Sequence, residues 1–203
     1  MQTIKVVLFD LGHVLVDLGP KERFTRIFPL QGVSEAELWE HWLASPSVKA
    51  FDAGQISLDS FIDRLLAELS LEADREALKQ AFIAWPQGLY DGAIELVQRI
   101  PAHYHRAVLS NTNDAHWARI LDDMGLAGLF HQYFASHQVG LVKPELSLFE
   151  HVIAKLGVAP NEILFIDDNQ INVEAARQAG MQAEWGKGIQ CAQEILLTYG
   201  VIR

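Results

Sequence analysis

Hydrophobic positions fall into two regimes along this chain. From Ile4 to Phe9, and again at Ala107-Val108-Leu109 and Ile163-Leu164-Phe165-Ile166, apolar residues run without alternation. Short unbroken runs of β-formers predict strands buried on both faces of a parallel sheet. Tyr133-Phe134-Ala135 and Gln182 to Trp185 are weaker strand candidates. Between these runs the apolar positions recur at helical spacing. Asp91 is placed to cap a helix through Ile94, Val97 and Ile100 that Pro101 stops. Helices are expected over Asp114 to Met124, Leu146 to Leu156 and Ile171 to Ala179, closed by Gly125, Gly157 and Gly180. Alternating strands and helices predict an α/β fold with a doubly wound parallel sheet.

One long stretch breaks that rhythm. From about Lys21 to Pro86 the pattern is helical, with no convincing strand. Ser34 and Glu37 form a possible capping box ahead of Leu38, Trp39, Trp42 and Leu43. Ser57 can cap a helix whose stripe is Leu58, Phe61, Ile62, Leu65, Leu66 and Leu69. Ala77, Leu78, Ala81, Phe82 and Trp85 repeat the pattern. The stretch follows directly on the first strand and far exceeds an ordinary βα loop. It reads as an inserted α-helical cap over residues 19–87, with residues 1–18 and 88–203 forming the core. Val16 to Pro20 reads as a turn-rich exit from the first strand. Gly19-Pro20 and Trp85-Pro86-Gln87-Gly88 are candidate hinges.

Composition narrows the function. The 203 residues are half hydrophobic and carry a formal charge of −10, which argues against nucleic acid or an anionic membrane as partner. An anionic small substrate stays possible, because a metal ion or a Lys can invert the field inside a cleft. The single cysteine, Cys191, precludes an intrachain disulfide and fits a reducing, cytoplasmic setting. The N-terminal run, interrupted by Asp10, reads as neither signal peptide nor membrane span. The eight histidines are scattered, and His103-Tyr104-His105 reads as a solvated loop. Oligomeric state is not legible.

Three buried strands end in polar clusters: Asp10, then Ser110-Asn111, then Asp167-Asp168. Leu141-Val142-Lys143-Pro144 lies between the last two. In a parallel sheet all strand C-termini share one edge, so these clusters can converge. Three carboxylates suit a hard cation such as Mg²⁺. Ser110, Lys143 and the backbone N–H groups after Asp10, at Leu11 and Gly12, suit a phosphate.

These stretches, Phe9-Asp10-Leu11-Gly12-His13-Val14-Leu15, Leu109-Ser110-Asn111-Thr112-Asn113, Val142-Lys143-Pro144-Glu145 and Phe165-Ile166-Asp167-Asp168-Asn169, resemble the haloacid dehalogenase superfamily, in its motif order. The resemblance covers essentially the whole chain and is strongest to small sugar-phosphate phosphatases of the α-glucose-1-phosphate phosphatase kind. It implies a Rossmann-like core, a helical cap, Mg²⁺ and a small phosphorylated metabolite as substrate. Asp10 would be the nucleophile that takes the phosphoryl group. Asp10, the Gly12 carbonyl and Asp168 would ligate the metal, with Asp167 nearby through water or Lys143. Ser110 and the Asn111 N–H would hold phosphate oxygens, and Lys143 would neutralise charge on nucleophile and phosphate.

The chain departs from the pattern at one position. Family phosphatases carry a second Asp two residues after the nucleophile as general acid and base; Gly12 stands there. Losing a general acid typically costs on the order of 10²–10⁴ in rate. The gap favours substrates with a good leaving oxygen, such as an anomeric phosphate, and argues against a phosphomutase. A cap residue or His13 could substitute, although a positioning role suits His13 better. Two rival readings follow: a metal-independent 2-haloacid dehalogenase, which Asp167-Asp168 opposes, and a non-catalytic binding protein, which the retained Asp10 and Lys143 oppose. Trp39, Trp42, Phe51 and Trp85 read as cap core rather than ligand contacts, and Asp17 and Glu22 lie near the hinge.

Overall fold

The computed structural model describes residues 3–28 and 32–203. The chain opens with β1 (Val6–Phe9) and a two-residue strand β2 (Val16–Asp17). Five helices follow: α1 (Lys21–Ile27), α2 (Glu35–Ala44), α3 (Pro46–Asp52), α4 (Leu58–Glu68) and α5 (Arg75–Ile83). The helical expectation over residues 29–31 lies outside the described residues. The chain then returns through β3 (Gly88–Leu89), α6 (Ala93–Gln98), β4 (His105–Ser110), α7 (Asp114–Ala118), β5 (Gln132–Ala135), α8 (Ser136–Val139) and α9 (Leu146–Leu156). It closes with β6 (Ile163–Asp167), α10 (Gln170–Gln178), β7 (Gln182–Trp185) and α11 (Gly188–Thr198).

The main sheet is parallel, in the order β5-β4-β1-β6-β7, so β1 is its centre. The absence of alternation in β1 now has a cause. Val7 and Phe9 pack into one apolar cluster with Leu96, Val97, Ile120 and Leu196. Val6 and Leu8 pack into another on the opposite face, with Leu148, Phe149, Val152 and Val173. Both faces are covered, so neither parity tolerates a polar residue until the strand ends at Asp10.

The helical insertion has its own core. Phe24, Phe28, Trp42, Phe51, Phe61, Phe82 and Trp85 form a cluster of edge-on and stacked rings. Its caps follow the local rules. Ser34 and Glu37 form a complete capping box, and the Ser57 hydroxyl accepts from the Ser60 N–H. Two hinge stretches that read as turns pair with each other: β2 and β3 are antiparallel, Val16 opposite Leu89 and Asp17 opposite Gly88. Strands of two residues carry no periodicity, which is why the pattern missed them.

Three further expectations are corrected. Asp91 does not cap α6: Gly92, at φ 84°, takes the N-cap position with no side-chain bond, leaving Asp91 one residue outside. His105 is no loop residue but starts β4, where its ring pairs with Gln132 and stacks on His131. The helix from Asp114 changes after Ala118 into a wider π turn over Arg119–Asp123. Helix α11 adds a last element that the pattern reading did not draw, although Ala192 and Leu196 give it a buried stripe.

Candidate active site

Asp10 is the first residue beyond β1, and its N–H donates to the Ile166 carbonyl at 2.9 Å. The backbone then folds back tightly: the Leu11 carbonyl accepts from the N–H groups of Val14, Leu15 and Val16 at 3.1, 2.9 and 2.7 Å. His13 sits in the left-handed region at φ 55°, and its carbonyl accepts from the Gly188 N–H at 2.7 Å. Asp167 ends β6, the strand beside β1, and Asp168 follows. The shared edge predicted for a parallel sheet therefore brings Asp10, Asp167 and Asp168 together, with one oxygen of each within 4.8 Å of the others.

Lys143 reaches this cluster from the loop before α9. Its ammonium lies 2.8 Å from Asp10 Oδ1 and 2.7 Å from Asp167 Oδ2, and donates to the Leu109 carbonyl at 3.2 Å. The Phe165 ring lies beneath it, 5.6 Å away. Asn111 fixes the Lys143 backbone from both sides: Asn111 Oδ1 accepts from the Lys143 N–H at 2.8 Å, and Nδ2 donates to the Lys143 carbonyl at 3.0 Å. The Asn111 side chain thus positions Lys143, a task that its place in the Ser110-Asn111 motif does not announce. Ser110 is buried at the end of β4, its hydroxyl only 3.5 Å from the Asn111 carbonyl.

The two late carboxylates differ. Asp167 is fully buried and saturated: Oδ1 accepts from the Asn169 N–H at 2.8 Å, and Asn172 Nδ2 reaches both oxygens at 3.1 Å. Sequence reasoning missed Asn172; its signal was an amide on the buried stripe of an otherwise apolar helix face. Asp168 is partly exposed and faces the cavity. Burial, reinforced by the Asp167 charge, pushes its pKa up to about 6. Asp10 is pushed up to about 7, chiefly by burial, with Lys143 opposing and Asp167 and Asp168 adding to the rise. Burial alone would lower the Lys143 pKa, but the two carboxylates hold it above the usual lysine range.

One ammonium offsets only one of three clustered carboxylates. An all-oxygen donor set with surplus negative charge, Asp10 and Asp168 facing a cavity, fits a hard divalent cation. His13 Nδ1 is buried without a partner, and burial pushes its pKa down to about 4, which suits a positioning role better than that of a proton donor.

The cavity above this edge encloses about 710 Å³. Asp10, Gly12, Ser110, Asn111, Lys143 and Asp168 line its floor, and Trp39, Trp42, Asp52 and Trp85 of the insertion line its roof. The expectation for the aromatics holds in part. Trp42, Phe51 and Trp85 are buried in the insertion's core, while Trp39 is 39% exposed. Asp17 stays at the hinge, accepting from the Gly19 N–H at 2.7 Å.

Comparison with known proteins agrees with this geometry. The model of the haloacid dehalogenase-like hydrolase family matches residues 4–180. D-ribitol-5-phosphate phosphatase of Bacteroides thetaiotaomicron is 25% identical over 186 residues, covering 88% of this chain and 90% of that protein. A HAD family enzyme from the same organism, solved as a point mutant with magnesium and inorganic phosphate, superposes with a TM-score of 0.75 at 25% identity, covering 91% of this chain and 94% of that one. A dehalogenase structure superposes at 0.71 with 19% identity over 98% of each chain, a likeness of fold alone. A family model spanning most of the chain, and three strand-end motifs met at one sheet edge by the Lys143 loop, lead to one conclusion: the chain belongs to the haloacid dehalogenase-like hydrolase family.

Proposed function

We propose that this protein is a Mg²⁺-dependent phosphomonoester hydrolase that acts on a small phosphorylated metabolite, a sugar phosphate or a similar compound, through a phosphoryl group carried on Asp10. The observation that carries the reading is Asp10 itself: a buried carboxylate at the end of the central strand, held by Lys143 and facing a cavity beside Asp168. The similarity to a ribitol-phosphate phosphatase, and to a structure holding magnesium and phosphate, supports it.

Asp10, the Gly12 carbonyl and Asp168 would hold the metal, with Asp167 behind them. Bound there, Mg²⁺ supplies the positive charge that lets a carboxylate approach a phosphate dianion. Lys143 holds Asp10 Oδ1 and adds its own charge, which leaves the second oxygen as nucleophile. A bond forms from Asp10 to phosphorus as the ester P–O bond breaks. Ser110 and the N–H groups of Leu11, Gly12 and Asn111 receive the phosphate oxygens. Water then attacks phosphorus, releasing inorganic phosphate and restoring Asp10. Gly12 has no side chain to protonate the leaving oxygen, so the site favours leaving groups of low basicity. We read residues 19–87 as the cap that closes over residues 1–18 and 88–203 and excludes bulk water.

Phosphate release from a panel of sugar phosphates, with Mg²⁺ or EDTA and beside Asp10→Asn, tests the reading. Release that needs Mg²⁺ and vanishes in Asp10→Asn is expected. No release by folded protein refutes it, and halide release from a 2-haloacid in EDTA would install the dehalogenase in its place.

A further inference from the structure

Asp52 ends α3 of the insertion and Asn113 follows β4 of the core, 61 residues on; the fold brings them to 3.2 Å. Asn113 occupies the N-cap position of α7, where an Asn oxygen ordinarily accepts from the helix's first N–H groups. It makes no such bond. Its Nδ2 donates instead to Asp52 Oδ1. Burial pushes the Asp52 pKa up to about 6, so at neutral pH it is a carboxylate that only accepts, and the amide turns its Nδ2 toward it. Asn113 Oδ1 is therefore left buried with no partner, in a residue 4% exposed that lines the cavity. An unpaired buried acceptor is costly, and such orphans are rare in folded proteins.

We infer that Asp52 and Asn113 form a subsite that accepts hydrogen bonds from hydroxyl groups on the leaving group of the substrate. This rests on the phosphatase reading and deepens it. Both residues present acceptors, so the matching ligand group is a donor. Lys143 on the floor already acts on Asp52 and makes a cationic amine a poorer match there. Lys49 ties the insertion to the core through Glu145 at 2.7 Å, so the subsite's two halves are held together before ligand arrives. The rest of the roof is mostly apolar, with Trp39, Trp42, Phe82 and Trp85 beside Leu43 and Val48, and Trp39 partly exposed. A polyol or sugar offers both faces at once, C–H groups to the rings and hydroxyls to the acceptors.

The test compares kcat/KM for a straight-chain polyol phosphate and for the alkyl phosphate of the same chain length, with Mg²⁺. Wild-type protein should prefer the polyol. Asp52→Ala should lower the polyol-to-alkyl ratio roughly 10- to 100-fold, the worth of a hydrogen bond to a charged group, and Asn113→Ala roughly 2- to 10-fold, that of one to a neutral acceptor. Asp52→Asn, which keeps a partner for Asn113, should fall between wild type and Asp52→Ala. The double variant should lose little more than Asp52→Ala alone, because the pair acts as a unit. A merely structural role would slow both esters alike and leave the ratio unmoved, which overturns the subsite. A wild-type preference for the alkyl ester, or for an aminoalkyl phosphate, overturns it too. Release from neither ester by wild-type protein that hydrolyses an aryl phosphate overturns this inference alone, and release from none of the three overturns the phosphatase reading with it.

Discussion

Gly12→Asp should raise turnover of phosphate esters whose leaving group is a basic alcohol. The backbone accepts the change, since Gly12 does not use the left-handed region. A Cβ there meets Leu18 Cδ1 at 3.2 Å, a tight contact, but with the end of a flexible side chain. A shift of that rotamer costs about 0.5–1.5 kcal/mol. Against it stands the gain from a positioned general acid, about 10²–10⁴ in rate or about 3–5 kcal/mol. Neighbouring carboxylates are already pushed up to about 7 at Asp10 and about 6 at Asp168, chiefly by burial. A new carboxyl at the same buried edge would meet the same desolvation, which favours its neutral, proton-donating form. The catalytic gain therefore exceeds the steric cost. The assay is kcat/KM for esters graded from aryl to alkyl, with Gly12→Asn as a control of equal shape. Wild-type rates should fall steeply as the leaving group becomes more basic, and Gly12→Asp should flatten that slope. An Asp variant no faster than the Asn variant on alkyl esters refutes the argument.

Other outcomes follow from the same geometry. Lys143→Met leaves Asp10 and Asp167 facing each other without their cation, and should lower stability by about 3–5 kcal/mol in urea unfolding; a smaller loss than 1 kcal/mol would mean the pair is not buried as described. His116 is buried under Phe82, donates to its carbonyl at 2.7 Å, and has its pKa pushed down from 6.5 to about 4 by burial. The unfolded chain takes up that proton first, so stability should be full above pH 6.5 and fall by about 3 kcal/mol as pH drops to 4. His116→Gln should lose that part of the acid sensitivity, and identical pH profiles would count against it. Gly54→Ala should loosen the contact of the insertion with α8, since Gly54 is at φ 69° and its added Cβ would strike the His137 carbonyl; limited proteolysis should then cut the insertion faster. An unchanged cleavage rate would contradict this.

Much of this site was legible because a parallel sheet obeys a strong rule. Asp10, Ser110, Asp167 and Asp168 each follow an unbroken apolar run, and strands of one direction end on one edge. Leu146–Leu156 was readable to its ends because a 3.6-residue stripe stops at a glycine that takes φ 68°. What stayed hidden depends on distance in sequence. No local spacing shows that Asp52 meets Asn113, or that the Asn111 side chain clamps Lys143. Asp91 misled because the residue after it was a glycine able to take the N-cap position itself.

The β2–β3 pair has an architectural consequence. Paired antiparallel strands lie about 4.8 Å apart, a gap that a two-residue hairpin turn can close. The outgoing and returning crossings stand side by side, Asp17 opposite Gly88, so everything between them hangs from one doorway. Rewiring that doorway with a short turn would excise five helices without cutting a single strand of the main sheet. Transplanting a foreign helical module would need two matched splice points in the chain and partners for the contacts that Lys49 and Gly54 make with the core. The chemistry proposed for the floor and the selection proposed for the roof thus lie on pieces of chain that can be exchanged separately.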